Sequence, residues 1–157
     1  MDEQGQPAHP DMQMPEVLDV YGRCKPVYIP KGWGSELWFA NSTHPDYCGK
    51  ILRMDAAKRN SWHYHVTKDE TLFVFQGEVL YRRARPAAPE DRELTHCVDT
   101  VLREGDAVFI PAGVAHQMIA VRDSVILEAS LADVPGDTVR LVAGDTLPEE
   151  PYSGTYA

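Results

Sequence analysis

Long apolar runs are missing from this chain. No stretch reaches about 18 apolar residues, so no segment reads as a membrane-spanning helix. The opening MDEQGQPAHPDMQMPE lacks the basic start and apolar stretch of a secretory signal, which makes a cytoplasmic location the expectation. Cysteine is scarce: Cys24, Cys48 and Cys97 are odd in number and have no CxxC spacing, so they read as free thiols in a reducing compartment. No motif supports a catalytic role for any of the three. An excess of basic residues is also absent. A formal charge of -9 argues against nucleic acid or anionic lipid as the main partner, while leaving room for an anionic small molecule in a locally positive pocket. No segment has the periodicity of an amphipathic helix of three turns, and no internal repeat is found.

What the chain does have is a succession of short apolar runs. Its 157 residues suit one domain with a single core. Strands are expected over 27–29, 36–40, 49–54, 62–66, 72–75, 79–83, 95–102, 107–110, 117–121 and 124–129. Turn signals separate them: HPD at 44–46, QG at 76–77, EGD at 104–106, AG at 112–113 and RD at 122–123. Many short strands at regular spacing predict an all-β sandwich or barrel. Residues 1–25, rich in Pro, Gly, Gln and charge, read as an N-terminal arm. The barrel follows over 26–145, and 146–157 form a tail. RARPAAPEDRE (83–93) reads as an exposed loop inserted into the barrel. The stretch from Asp133 either covers the sheet or pairs with a second subunit.

The segment SWHYHVTKDETLFVFQGEV (61–79) carries the chemistry. In a strand, residues i and i+2 share a face, so His63 and His65 point one way and Trp62, Tyr64 and Val66 the other. Two such imidazoles can converge on one divalent ion, but further ligands must come from elsewhere. Glu70 could fold back beside the pair, and His116, after the turn IPAGVAH, could lie opposite. A lone HxH is more often the mark of a polar strand face, or of histidines satisfied by surface hydrogen bonds. His9, His44 and His96 stand in polar or turn contexts and read as surface residues.

Both motifs resemble those of the cupin superfamily. The first family motif is G-x5-HxH-x3,4-E-x6-G, and this chain has Ala57, His63, His65, Glu70 and Gly77 at those spacings. The second is G-x5-PxG-x2-H-x3-N, matched by Gly105, Pro111, Gly113 and His116, with Ala120 in the last position. Ala57 replaces the leading glycine, so that turn is expected to avoid positive φ. The resemblance implies a single-domain cupin: a double-stranded β-helix, or jelly-roll barrel. It also implies a metal site of His63, His65, Glu70 and His116 for one Mn, Fe, Co, Ni or Zn ion.

KGWGSELWF (31–39), YCGKIL (47–52), DETLFVFQGEV (69–79) and DTVRLVAGD (137–145) are similar to the small cupins related to type II mannose-6-phosphate isomerase. Those carry a KPWG-x-E element before the barrel and D-x-VR after it. Here Gly32 stands for the proline, and AGDTLPE replaces a DDYGR ending. The resemblance implies aldose–ketose isomerisation of a sugar, sugar phosphate or similar small carbonyl compound, with the ion as Lewis acid. Glu128 is the candidate base, because SVILEAS offers apolar neighbours that would raise its pKa, and it shares a face with Ser124 and Ile126. Lys50 and Arg53 are candidate anchors for an anionic group. Each is otherwise a solvated surface cation. Lys31 and Glu36 are either site residues or partners of one another, and one of Gln117 and Met118 points into the cavity. Trp62, Tyr64, Phe73 and Phe75 alternate away from the ligands, toward core or subunit packing. The alternatives are a mononuclear iron dioxygenase, which would need a drier, more aromatic cavity, and a non-catalytic binder. The family also implies a homodimer, with arm and tail as places of exchange.

Overall fold

The computed structural model describes residues 14–43 and 46–147. Thirteen strands follow in chain order: β1 (Glu16–Val17), β2 (Cys24–Lys25), β3 (Val27–Lys31), β4 (Gly34–Thr43), β5 (Asp46–Met54), β6 (Trp62–His65) and β7 (Glu70–Gln76), then β8 (Glu78–Ala84), β9 (Cys97–Arg103), β10 (Ala107–Ile110), β11 (His116–Ala120), β12 (Ser124–Ser130) and β13 (Thr138–Val142). The ten strands expected from sequence are all present, with ends that differ by a few residues. The sequence reading missed β1, β2 and β13. These three are short and mostly exposed, and so lack the alternation that marks a half-buried strand.

Two antiparallel sheets face each other in a jelly roll. One runs β10-β7-β12-β5-β4-β3 and the other β13-β6-β11-β8-β9, while β1 and β2 form a separate two-stranded ladder. Within the stretch after Asp133, β13 extends the five-stranded sheet beside β6, as its edge strand. Of the expected arm, residues 1–13 lie outside the described residues, as do 148–157 of the tail, His9, His44 and most of the HPD turn.

The core lies between the sheets. In β7, Glu70, Leu72 and Val74 are buried while Thr71, Phe73 and Phe75 face outward. The apolar inward residues Leu52, Met54, Leu72, Val74, Met118 and Ile126 form one contiguous cluster. The chain reverses from β7 to β8 at Gly77, whose φ of 97° suits glycine; a Cβ there would lie 2.3 Å from Ser124 Oγ. The 83–93 insertion is folded onto the outside of β6. Its Arg92 carbonyl accepts from the indole of the fully buried Trp62 at 2.8 Å, and the Arg92 guanidinium stacks on Tyr64 at 3.7 Å.

Ala57 corrects an expectation. Its φ is 64°, so the turn keeps the left-handed conformation despite the Cβ. The reason is tertiary: Ala57 N donates to Ala120 O at 2.9 Å and Ala120 N to Lys58 O at 2.8 Å, which ties this turn to β11 and imposes its shape.

Candidate metal centre

His63 and His65 come from β6, Glu70 opens β7 in the opposite sheet, and His116 opens β11, paired in register with His63. All four are buried, and their potential ligand atoms lie within 4.8 Å of one another. The distances between imidazole centroids are 4.4, 5.1 and 5.8 Å.

The outer nitrogens decide what the inner ones can do. Nδ1 of His63 lies 2.8 Å from the Ser61 carbonyl and Nδ1 of His116 3.0 Å from the Val114 carbonyl, so each donates outward. Nδ1 of His65 faces Thr138 Oγ1 at 3.2 Å and the Asp137 carboxylate at 3.5 Å. Asp137 is itself held by the Thr67 amide and hydroxyl, at 2.7 and 2.6 Å. Protons on the three Nδ1 atoms leave three Nε2 lone pairs directed inward. Glu70 Oε1 lies 2.6 Å from Nε2 of His116 yet is buried without a hydrogen-bond donor. Acceptors thus converge on a point with no proton between them, an arrangement that a cation satisfies and that otherwise carries a desolvation cost. Burial, followed by the neighbouring His116 and His65, holds the His63 pKa well below the ordinary histidine value, which keeps that ring neutral and fit to ligate.

A cavity of about 620 Å³ opens beside these four residues. Its lining includes Glu128, the candidate base, and Lys50, one of the two candidate anchors. Glu128 shares a face with Ser124 and Ile126, as the alternation predicted, and the structure makes that face the inward one. Its surroundings differ from expectation. Instead of apolar neighbours, Oε1 accepts from Lys68 Nζ and Ser130 Oγ, both at 3.0 Å, with Lys50 Nζ at 3.9 Å. Lys50 is no solvated cation: it is buried, bonded to the Asp133 carboxylate and seated 3.8 Å over the Trp38 ring. Arg53 is excluded as an anchor. Three residues from Lys50 on the same strand, it lies on the opposite face and is exposed.

Lys31 and Glu36 both line the cavity and pair at 3.7 Å. Gln117 donates to the Asn60 carbonyl, while Met118 packs into the core, so neither lines the cavity. His96 lies at the surface beside Asp91. Cys48 points inward, and burial pushes its thiol up to about 11, against a nucleophilic role.

Sequence reasoning missed four residues. Lys68 is buried and bridges Glu128 at 3.0 Å, Asp133 at 3.1 Å and the Glu70 carboxylate at 3.7 Å. Asp133 joins Lys50 to Lys68, the Asp137 carboxylate stands 3.5 Å behind His65, and Arg140 pairs in register with His63 and lines the cavity rim. Lys68 had one available signal, its place two residues before Glu70. Asp137 and Arg140 belong to the DTVR element.

A protein-family profile described as Cupin matches residues 52–150. No curated protein sequence matches the chain. Among solved structures, the capsular polysaccharide assembling protein CapF from Staphylococcus aureus superposes with a TM-score of 0.62 at 20% identity, over 76% of this chain and 32% of that one. Oxalate decarboxylase from Bacillus subtilis gives a TM-score of 0.61 at 13% identity, over 85% and 33%. KdgF from Halomonas sp. gives 0.51 at 20% identity, over 64% and 80%. The chain therefore spans about a third of the length of the first two. At these identities the likeness is one of fold.

Proposed function

Because this chain belongs to the cupin family, we propose that it is a metal-dependent enzyme moving a proton beside a carbonyl group: an isomerase of a sugar, sugar phosphate or similar small compound. His63, His65, Glu70 and His116 would hold one divalent ion of the Mn, Fe, Co, Ni or Zn group. When bound, that ion supplies Lewis acidity to a substrate oxygen. The observation that carries the reading is the ionic network Lys68–Glu128–Lys50–Asp133 in the wall of the same cavity. Proton transfer needs a base aimed at the substrate, which a carboxylate here can supply, and an oxidative site would favour a drier wall. Here the lining is rich in charge, and its aromatic members are Trp33 and Trp38.

Glu128 is the proposed base. Lys68 and Ser130 fix Oε1, and among the described residues no hydrogen bond reaches Oε2, which is left to take the substrate proton. Lys50 and Lys68 supply positive charge against which an oxyanion can develop. Likeness to the type II mannose-6-phosphate isomerase cupins gains support from where the shared elements lie: Lys31 and Glu36 at the cavity, Asp137 behind His65, Arg140 at the rim. The three-imidazole set also suits iron, and so a dioxygenase is the second reading.

The test is elemental analysis of untagged protein beside the His63→Ala, His116→Ala double variant, followed by isomerisation assays with wild type and Glu128→Gln. About one ion per chain that disappears in the double variant, and turnover lost in Glu128→Gln, is the expected result. Iron with oxygen uptake would replace the isomerase with the dioxygenase. No metal after incubation with each ion would remove both.

A further inference from the structure

The three imidazoles of the metal centre are not backed alike. Those of His63 and His116 lean on main-chain carbonyls, of Ser61 at 2.8 Å and Val114 at 3.0 Å. His65 has a carboxylate behind its Nδ1 instead: Oδ2 of Asp137, at 3.5 Å. Asp137 stands just before β13, and its side chain is 4% exposed. Its two oxygens are placed differently. Oδ1 accepts from the Thr67 amide at 2.7 Å and from the Thr67 hydroxyl at 2.6 Å. The main chain is pinned as well: the Asp137 carbonyl accepts from the Val66 amide, and its amide donates to the Val134 carbonyl. Oδ2 is buried without a hydrogen-bond partner among the described residues, on the side of His65. A buried carboxylate oxygen left in this way is costly unless a proton or a positive charge answers it.

Charge points the same way. Lys50 and Lys68 form ion pairs with Glu128, Asp133 and Glu70, whereas no lysine or arginine among the described residues pairs with Asp137. Two cations therefore stand against four carboxylates at this end of the barrel. With neutral imidazoles two negative charges remain, the number that one divalent ion cancels.

Given the metal site proposed above, on which this rests, we infer that Asp137 is a positioning residue for the ion. Its Oδ2 holds the proton of His65 on Nδ1, which keeps the Nε2 lone pair turned inward and makes that ring a stronger ligand. Affinity for the ion, rather than the fold, then depends on Asp137. Asp137→Asn separates the two. The Thr67 amide can only donate, so the oxygen of the new side chain must take the place of Oδ1 and its NH2 group that of Oδ2. Two donors then meet at Nδ1 of His65. Moving the ring proton to Nε2 relieves this, but there it covers the lone pair that an ion needs.

Two measurements on the full chain test the assignment. Long-range proton–nitrogen NMR correlation on metal-free protein at about pH 7.5 reads the His65 tautomer: Nδ1–H is expected in wild type and Nε2–H in Asp137→Asn. Competition against a chromophoric chelator reads affinity for zinc and cobalt(II). It should fall about 10–100-fold in Asp137→Asn, with altered visible bands of bound cobalt and an unchanged urea midpoint of the metal-free variant. Thr138→Val, which removes the hydroxyl 3.2 Å from the same nitrogen, should lose less. A wild-type His65 protonated at Nε2 overturns the inference without any variant having to fold. So does Asp137→Asn that binds both ions as wild type does, whatever its stability, or Thr138→Val that loses more. Wild type that takes up neither ion removes the metal site itself, and the role of Asp137 with it; wild type that binds while Asp137→Asn binds equally removes that role alone.

Discussion

Replacing Lys68 with methionine keeps the length and apolar stem of the side chain and removes one charge. Three carboxylates face that ammonium, Glu128 at 3.0 Å, Asp133 at 3.1 Å and Glu70 at 3.7 Å, and the Lys68 side chain is 2% exposed. Breaking a buried ion pair by removing one partner costs about 3–5 kcal/mol, because the other charge stays behind. Lys50 remains bonded to Asp133 and lies 3.9 Å from Glu128, which offsets part of the loss and puts the expectation near the lower end, about 3 kcal/mol. For a domain of this size that is roughly 6–12 °C in Tm. Burial pushes the Asp133 pKa up, but Lys50 and Lys68 outweigh it and hold the carboxyl below its ordinary value. A depressed carboxylate stabilises the fold above the unfolded pKa and loses that contribution as pH falls through the folded one. The gap between variant and wild type should therefore be full at pH 7 and close below about pH 4. Urea titration across this range measures it, and Lys68→Met with Glu128→Gln should recover part of the loss, a coupling of about 0.5–3 kcal/mol. A cost below about 1 kcal/mol at pH 7 that does not change with pH would refute the claim that Lys68 neutralises this wall.

Ala57→Gly should stabilise the protein: the left-handed conformation at φ 64° costs a Cβ residue roughly 1–2 kcal/mol, and glycine returns about half of that as unfolded-state entropy. A denaturant midpoint that falls would contradict the strain. Gly32→Ala should loosen the segment 143–147 at the cavity mouth, since the new Cβ would lie 2.0 Å from the Thr146 carbonyl carbon; faster proteolysis there and a lower Tm are expected, and unchanged values would count against that close approach. In metal-free protein, the depressed His63 pKa means that the unfolded chain takes up a proton the folded chain refuses. Stability should thus fall as pH drops below about 6.5, by up to about 1.4 kcal/mol per pH unit, and a flat profile between pH 7.5 and 5.5 would contradict a buried neutral ring.

Strand phase and the pairing of His63 with His65 were legible in the sequence because both are local, whereas Glu70 and His116 entered through the resemblance to the two cupin motifs. Alternation with period two assigns each residue a face wherever one side is buried, so His63 with His65, and Glu128 with Ser124 and Ile126, could be paired by counting. The same rule separates Lys50 from Arg53, although being on one strand had made both look like anchors. Closure of the barrel decided the rest. Lys68, Asp133 and Asp137 sit in turns, where no period applies, and they become site residues only because β7, β12 and β13 bring those turns to one end of the two sheets. Ala57 takes a conformation its residue type disfavours because the hydrogen bonds that Ala57 and Lys58 make to Ala120 impose it. Gly32 likewise stands where the resembled element has proline because the backbone of Thr146 passes within van der Waals distance, a contact between segments more than a hundred residues apart. Periodicity follows from backbone geometry and can be read from neighbours in the chain; close approach and charge compensation depend on neighbours in space, which only the folded chain supplies.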